Sequence, residues 1–393
     1  MDIVIGFDIG GTNSRATIAR MEDGTLIRHL DFPAPISQQV TSKRELRAFI
    51  HGLLDRLIPR ATNTSPDKRQ QPVDGNRNQR GPAYPEGADR LVGVVIALAG
   101  PVIRHREVTM TNWPEPKGIT LDEFIEWGMP IDRTIMINDM EAGCYGLMKS
   151  LREEGTDTMG FKPLKGLATS SHAVSRGNPI EGNRVFIAPG TGLGAAGIIE
   201  MEKTPEESSP IYPIATELQN TPMPVLRTEH RIVVDWLRRE KQIMHPSWDD
   251  IISGRGLVDI YRALRDLAPG NASDTVSEDG DLAAAIARAG VIGHDPVARQ
   301  ALSLFYDCTG RFCQLMALGF QAFGGVFIGG ASTIKNRDFI PHSQLPDAFL
   351  DNRVQRSLLA RFPIYLVTKT DLNLDGALWL GSSMLRTGRF LYF

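Results

Sequence analysis

Cysteine is scarce: Cys144, Cys308 and Cys313 are the only three in 393 residues, and no two have the spacing of a zinc site or a dithiol redox motif. Cys308 and Cys313 are five residues apart on a helical stretch, which turns them to different faces. A count this low and odd excludes a disulfide framework and fits a reducing compartment. An excess of charge of either sign is also lacking. Lys and Arg number 43 against 46 Asp and Glu, a net charge of −3, so neither nucleic acid nor an anionic membrane has an electrostatic reason to be a partner. No apolar run approaches the ~18 residues of a membrane span. No basic-then-apolar leader opens the chain, and the closing "RFLYF" is not a peroxisomal signal. The expected location is cytoplasmic. None of the eight histidines has a metal-ligand or triad-like partner in sequence, so they read as surface or satisfied structural residues.

What is present is core material and glycine. Apolar residues make up 42% and charged residues 23%, and at ~150 residues per domain the length allows two or three domains. Runs at 2–8 and 14–20 flank a Gly-Gly turn and predict a β-hairpin. Leu46, Phe49, Ile50, Leu53, Leu54 and Leu57 recur at helical spacing over 42–59. Residues 61–90 are rich in Pro, Gly, Asn, Gln and charge with almost nothing to bury, and read as a long mobile surface loop. Residues 168–183 read as a second loop. Strands are expected at 91–100, 134–139 and 363–368, strand–turn–strand at 184–200, helix over most of 281–323, and a closing helix at 375–385. Leu302, Phe305, Phe312, Leu315 and Met316 read as a core stripe. Strands and helices alternate in two halves, each opened by a glycine-tipped hairpin, which fits an α/β protein of two related domains.

Three glycine elements carry the chemistry. In "DIGGTN", backbone N–H groups at Gly10 and Gly11, with the side chains of Thr12 and Asn13, would make a cradle for phosphate oxygens. Asp8 at the strand end could hold Mg²⁺ through water, since that ion gives up its waters reluctantly. An ordinary type I′ hairpin fits the same residues. The second element, "PGTGLGAAG", also matches a dinucleotide pattern through Gly190, Gly192 and Ala195. That pattern needs a helix directly after the glycines, whereas "AAGIIEM" reads as strand. A second phosphate hairpin with Thr191 as hydroxyl donor fits better. The third element, Gly329-Gly330 in "FIGGAS", would let a flat ring lie against backbone, although a plain strand-to-helix turn accounts for it as well.

In this order the elements resemble the sugar kinases of the hexokinase, actin and heat-shock chaperone ATPase superfamily. More closely, the chain resembles bacterial-type glucokinases and their protist relatives, on "DIGGTN" (8–13), "MTNW" (110–113), "IND" (137–139), "APGTGLG" (188–194), "SGRGLVDIYRAL" (253–264), "FGGVFIGGA" (323–331) and "LNLDGA" (372–377). The resemblance implies two actin-like ATPase domains with ribonuclease H-like sheets and a cleft between them. It also implies ATP-dependent phosphorylation of glucose at the 6-hydroxyl. The small domain would hold 1–148 and 372–393, and the large domain 149–371. Matched residue by residue, Asp139 takes the place of the general base, and Asn112 and Asn138 those of sugar contacts. Glu217 takes the place of the acid of the "GEGGH" segment, and Asp249 that of a sugar-binding glutamate. Two departures stand out. Asn220 occupies the histidine position of "GEGGH", and Asp249 is one methylene shorter than the usual glutamate.

Each acid also has a plainer reading. Asp139 could be an N-cap, Glu217 a surface acid, and Asp249 a first-turn acid behind a Ser247–Asp250 capping box. ATP and Mg²⁺ are the expected cosubstrate and cofactor, with Mg²⁺ arriving mainly with ATP, and a second copy of the chain is the one protein partner left open. Rival readings are a kinase for another hexose or an amino sugar, a sugar-sensing regulator, and an ATPase acting on a protein partner. The hairpin beginning at residue 3 and the unclustered cysteines speak against the regulator. The acids and asparagines at sugar positions speak against the protein-partner ATPase.

Overall fold

The computed structural model describes residues 2–11, 13–22, 25–28, 32–57, 90–111, 113–114, 118–155, 160–164, 181–201, 211–267, 276 and 280–387, the side chains of 384–387 excepted. Thr12 and Asn112 fall outside this set, as do residues 58–89 and so most of the expected 61–90 loop; Arg90 already belongs to a strand. The chain divides into two compact units, one of residues 1–146 and 372–393, the other of 147–371.

The first unit carries β1 (Asp2–Ile9), β2 (Asn13–Glu22), β3 (Thr25–Arg28), β4 (Ile36–Gln39), α1 (Lys43–Leu57), β5 (Arg90–Leu98), β6 (Val102–Ile103), β7 (Glu107–Thr109), β8 (Gly118–Thr120), α2 (Leu121–Glu126), β9 (Thr134–Asn138) and the start of α3 (Asp139–Glu154). The second carries β10 (Phe161–Pro163), β11 (Arg184–Pro189), β12 (Leu193–Glu200), β13 (Ile211–Ala215), α4 (Thr228–Glu240), α5 (Trp248–Ile251), α6 (Gly254–Leu267), α7 (Leu282–Ile292), α8 (Pro296–Phe320), β14 (Gly325–Ile328), α9 (Gly330–Asn336), α10 (Leu345–Leu350), α11 (Arg356–Leu359) and β15 (Ile364–Val367). Helix α12 (Leu372–Thr387) returns to the first unit.

The weak internal repeat in the sequence becomes plain in the sheets. One has strand order β3-β2-β1-β5-β9 and the other β13-β12-β11-β14-β15, with β4 and β10 added at their margins. In both, the first two strands pair antiparallel and the first, fourth and fifth run parallel. The first sheet is covered on both faces, so every residue of β1 from Ile3 and of β5 from Leu91 is buried, and all of these but Asp8 are uncharged and non-polar. Helix α1 contributes Leu46, Phe49, Ile50, Leu53 and Leu57 to that core, while Leu54 is half-buried at its margin. In the second unit α8 is buried along most of its length. Leu302, Phe305, Phe312 and Met316 point into the core, but Leu315 is 41% exposed because it lies off the stripe that 312 and 316 define. Cys308 and Cys313 are both buried despite facing different ways, and burial pushes both thiols up from their ordinary range.

Helix α12 crosses α3 at a contact only glycine allows. A Cβ on Gly376 would lie 1.9 Å from the Ala142 carbonyl oxygen, and one on Gly146 would lie 2.0 Å from that of Leu372. Tyr145 and Trp379 pack beside this crossing with ring centroids 6.0 Å apart. Among the described residues no helix is long and apolar enough to cross a membrane.

Candidate active site

The parallel strands of the first unit end in register. Ile9 pairs with Leu98, and Leu98 with Asn138. The Gly10-Gly11 turn and Asp139 therefore emerge at one edge of the sheet, about 10 Å apart across the intervening strand at ~4.8 Å per strand. This carboxyl edge is where open α/β sheets hold their ligands. The β1–β2 hairpin closes through Gly10 N–H to the Asn13 carbonyl at 3.0 Å, with Gly11 beyond that bond at its tip. Asp8 stands 12% exposed below that tip, with Oδ2 accepting Arg15 Nη2 at 2.6 Å and Nε at 3.2 Å, and Oδ1 accepting Asn373 Nδ2 at 3.2 Å. Arg15 is set directly opposite Asp8 by the register of the hairpin, which pairs Ile9 with Ser14.

Asp139 is half-buried at the first position of α3. The N-cap role falls to Asn138 instead. Its Oδ1 accepts the Met140 N–H at 2.8 Å, and the Glu141 carboxylate reaches back to the Asn138 N–H at 3.0 Å. Glu141 thus satisfies the N-cap backbone N–H from the third helical position, as in the return half of a capping box, and fixes where Asp139 begins its helix. Burial pushes the Glu141 carboxyl up, against the pull of the Asn138 N–H and the charge of His105. Asn138 Nδ2 donates to the Gly100 carbonyl at 2.9 Å. Both ends of its amide therefore serve the fold, and each keeps one hydrogen-bonding position.

In the second unit Gly190, Thr191 and Gly192 form the tip of the β11–β12 hairpin, closed by Gly190 N–H to the Gly192 carbonyl at 2.8 Å. The chain leaves these glycines as strand β12, as expected, and not as a dinucleotide-binding helix. Glycine permits left-handed backbone at such turns. It is found at Gly330, with φ of 85°, whereas Gly10, Gly190 and Gly192 do not adopt it. A Cβ at Gly330 would lie 2.5 Å from the Pro189 carbonyl oxygen, so the third glycine element sits directly against the second. Ser332 Oγ donates to that same carbonyl at 2.8 Å.

Glu217 and Asp249 neighbour each other. Partial desolvation of its carboxyl raises Glu217 above the ordinary range, a hydrogen bond from Asn220 opposes this, and the negative charge of Asp249 adds to the rise. The donors Asn220 Nδ2 at 2.6 Å and Gln219 Nε2 at 3.0 Å both reach Glu217 Oε2. Asn220, at the missing histidine's position, thus binds the acid itself. Asp249 stands in the first turn of α5, as its plainer reading has it; Oδ1 accepts the Leu193 N–H at 2.6 Å and Oδ2 pairs with Arg255. The Ser247–Asp250 capping box is present.

A buried histidine cluster lies elsewhere in this unit. His230 Nε2 and Asp307 Oδ2 are 2.8 Å apart and each side chain is 1% exposed. Arg227 and Arg311 also bind Asp307. Although Cys308 is near, the carboxylate is engaged by three donors, so the cluster is an ion-pair network. Burial would raise Asp307, but the hydrogen bonds from His230 and Arg311 hold it below the ordinary range.

With this geometry in place, comparison with known proteins assigns the family. The family model described as Glucokinase matches residues 5–384. The chain belongs to the glucokinase family. Curated glucokinases from Chelativorans sp. and Rhizobium etli are each 28% identical over 278 residues, covering 70% of this chain and 70% and 71% of theirs. Among solved structures, a glucokinase from Balamuthia mandrillaris in complex with glucose is 23% identical, with a TM-score of 0.71 over 96% of this chain and 93% of that one. The Leishmania braziliensis glucokinase is 19% identical, with a TM-score of 0.69 over 97% and 93%. These likenesses give the chain the two-domain actin-like ATPase fold of the family.

Proposed function

We propose that this glucokinase-family chain transfers the γ-phosphoryl group of ATP to the 6-hydroxyl of D-glucose, giving glucose 6-phosphate and ADP, with Asp139 as general base. The observation that carries the reading is the placement of Asp139 at the carboxyl edge of the first sheet, in register with the Asp8–Asn13 hairpin. A sugar hydroxyl is a poor nucleophile until its proton can leave, and a carboxylate at ~2.6–3.2 Å can take that proton as the phosphorus–oxygen bond forms. The O6 lone pair attacks phosphorus, the bond to the β–γ bridging oxygen breaks, and ADP departs with that electron pair. Asn138 and Glu141 hold the base in place, and Glu217 with Asn112 accepts and donates to the sugar's other hydroxyls. The hairpins at Gly10–Asn13 and Gly190–Gly192, with Gly329-Gly330, receive the nucleotide.

Mg²⁺ would supply charge screening of the transferring phosphoryl group. Asp8 suits it only through water. Its charge is already balanced by Arg15 and each oxygen holds a donor, which leaves acceptor capacity for an ion-bound water but makes a poor direct ligand. A cytoplasmic place at the head of glycolysis is consistent with this chemistry.

An ATP-coupled assay across glucose, mannose, glucosamine, 2-deoxyglucose, galactose and fructose tests the substrate. Glucose is expected to give the highest kcat/KM. Changes at the sugar's 2-position should be tolerated better than at the 4-position, because Asn220 replaces the histidine. Galactose or fructose outranking glucose tenfold, about 1.4 kcal/mol of transition-state binding, would move the assignment to another hexose. ATP binding with no sugar phosphorylated would favour the regulator.

A further inference from the structure

The Gly190–Gly192 hairpin is not held by its own two strands alone. Gly190 N–H donates to the Gly192 carbonyl in the closing hydrogen bond, so the next pair outward, Pro189 and Leu193, lies at a non-hydrogen-bonded position, where Pro189 has no N–H to offer and Leu193 turns its own away from the partner strand. The N–H of Leu193 thus faces the β13 side, where pairing with β12 begins only at Ala196. Asp249 fills that position. Its Oδ1 accepts the Leu193 N–H at 2.6 Å, a bond assisted by the carboxylate's charge, and a Cβ on Gly192 would stand 3.1 Å from the same oxygen. The other oxygen is taken by Arg255, whose exposed side chain rises from the first turn of α6. Next to it, Gly254 N–H donates to the Gly190 carbonyl at 2.9 Å. One short segment, 249–255, therefore grips both sides of the hairpin tip.

We infer that Asp249, clamped by Arg255, is a positioning residue for the nucleotide hairpin and not a ligand of the sugar. The inference rests on reading that hairpin as the ATP phosphate cradle. The missing methylene relative to the family's glutamate fits it. Aspartate reaches the Leu193 N–H beside Gly192, where a longer acid would have to fold back or project past it.

The test is calorimetry of Asp249→Ala, Asp249→Asn and Arg255→Ala with two probes, glucose and a non-hydrolysable ATP analogue with Mg²⁺, alongside KM values and melting curves. Asp249→Ala should weaken the nucleotide analogue about tenfold, because a charge-assisted bond to backbone is lost. Asp249→Asn keeps an acceptor for Leu193 and should restore most of that loss. Arg255→Ala should cost about threefold in the same direction. Glucose affinity should stay within twofold in all three. If the alanine variant fails to fold, the other two carry the test. A tenfold loss of glucose affinity with the nucleotide spared overturns the inference, and so do equal losses of both ligands or no change in either. A wild-type chain that binds the nucleotide but phosphorylates no hexose would defeat the kinase reading while leaving the calorimetric comparison decisive for Asp249.

Discussion

Asp139→Asn is expected to lower kcat by about 10²–10⁴-fold, the usual cost of losing a general base, with KM for glucose and ATP changing little. The substitution is isosteric. Asp139 Oδ1 accepts the Met140 N–H at 2.9 Å, an amide oxygen can do the same, and the helix keeps its real cap through Asn138 and Glu141. The variant should therefore melt with the wild type. A loss confined to kcat marks an interaction made only in the transition state. Retention of more than a tenth of wild-type kcat would remove Asp139 from the role, and a lowered melting point would show that its contribution is to the fold.

Gly376→Val should destabilise the protein by about 3 kcal/mol or more, at the upper end of what overpacking costs. The added Cβ would stand 1.9 Å from the Ala142 carbonyl oxygen and 2.5 Å from the Gly146 nitrogen. These are backbone atoms of α3 and cannot rotate away, so the two helices must part. Gly376→Ala should show the same sign with a smaller size. Urea denaturation followed by circular dichroism reads the shift in midpoint, and an unchanged midpoint would mean that α12 and α3 do not cross as closely as described. Because α3 begins with Asp139, whatever folded enzyme remains should also turn over more slowly.

Asp139 and Gly376 differ in how far the sequence alone reveals them. Asp139 is visible because "TIMIN" is a β-branched run ending at small polar residues, so its strand-end position follows from pattern alone. Which of Asn138 and Asp139 caps the helix does not follow, since both are favoured N-caps. Glu141, three residues after Asn138, settles it by reaching back to the Asn138 N–H. The hairpins are legible from glycines between apolar runs, and with them the opposition of Asp8 and Arg15. The shared strand order of the two sheets is not, because it depends on parallel pairings between strands as distant as β11 and β14. The hydrogen bonds of Asp249 are hidden for a similar reason. Its partners Leu193 and Arg255 lie 56 residues before it and 6 after it, across a break between α5 and α6 that no helical periodicity bridges. Gly376 reads as part of a motif, while its physical reason, a crossing helix, lies more than 200 residues upstream.

The most direct measurement is the product itself. The chain would be incubated with ATP, Mg²⁺ and glucose carbon-13-labelled throughout, and the product examined by phosphorus and carbon nuclear magnetic resonance. The predicted result is one ADP formed per glucose consumed, with phosphorus coupled to carbon 6. ADP appearing without a sugar phosphate, or phosphorus coupled to any other ring carbon, would contradict the assignment of Asp139 as the base that activates the 6-hydroxyl.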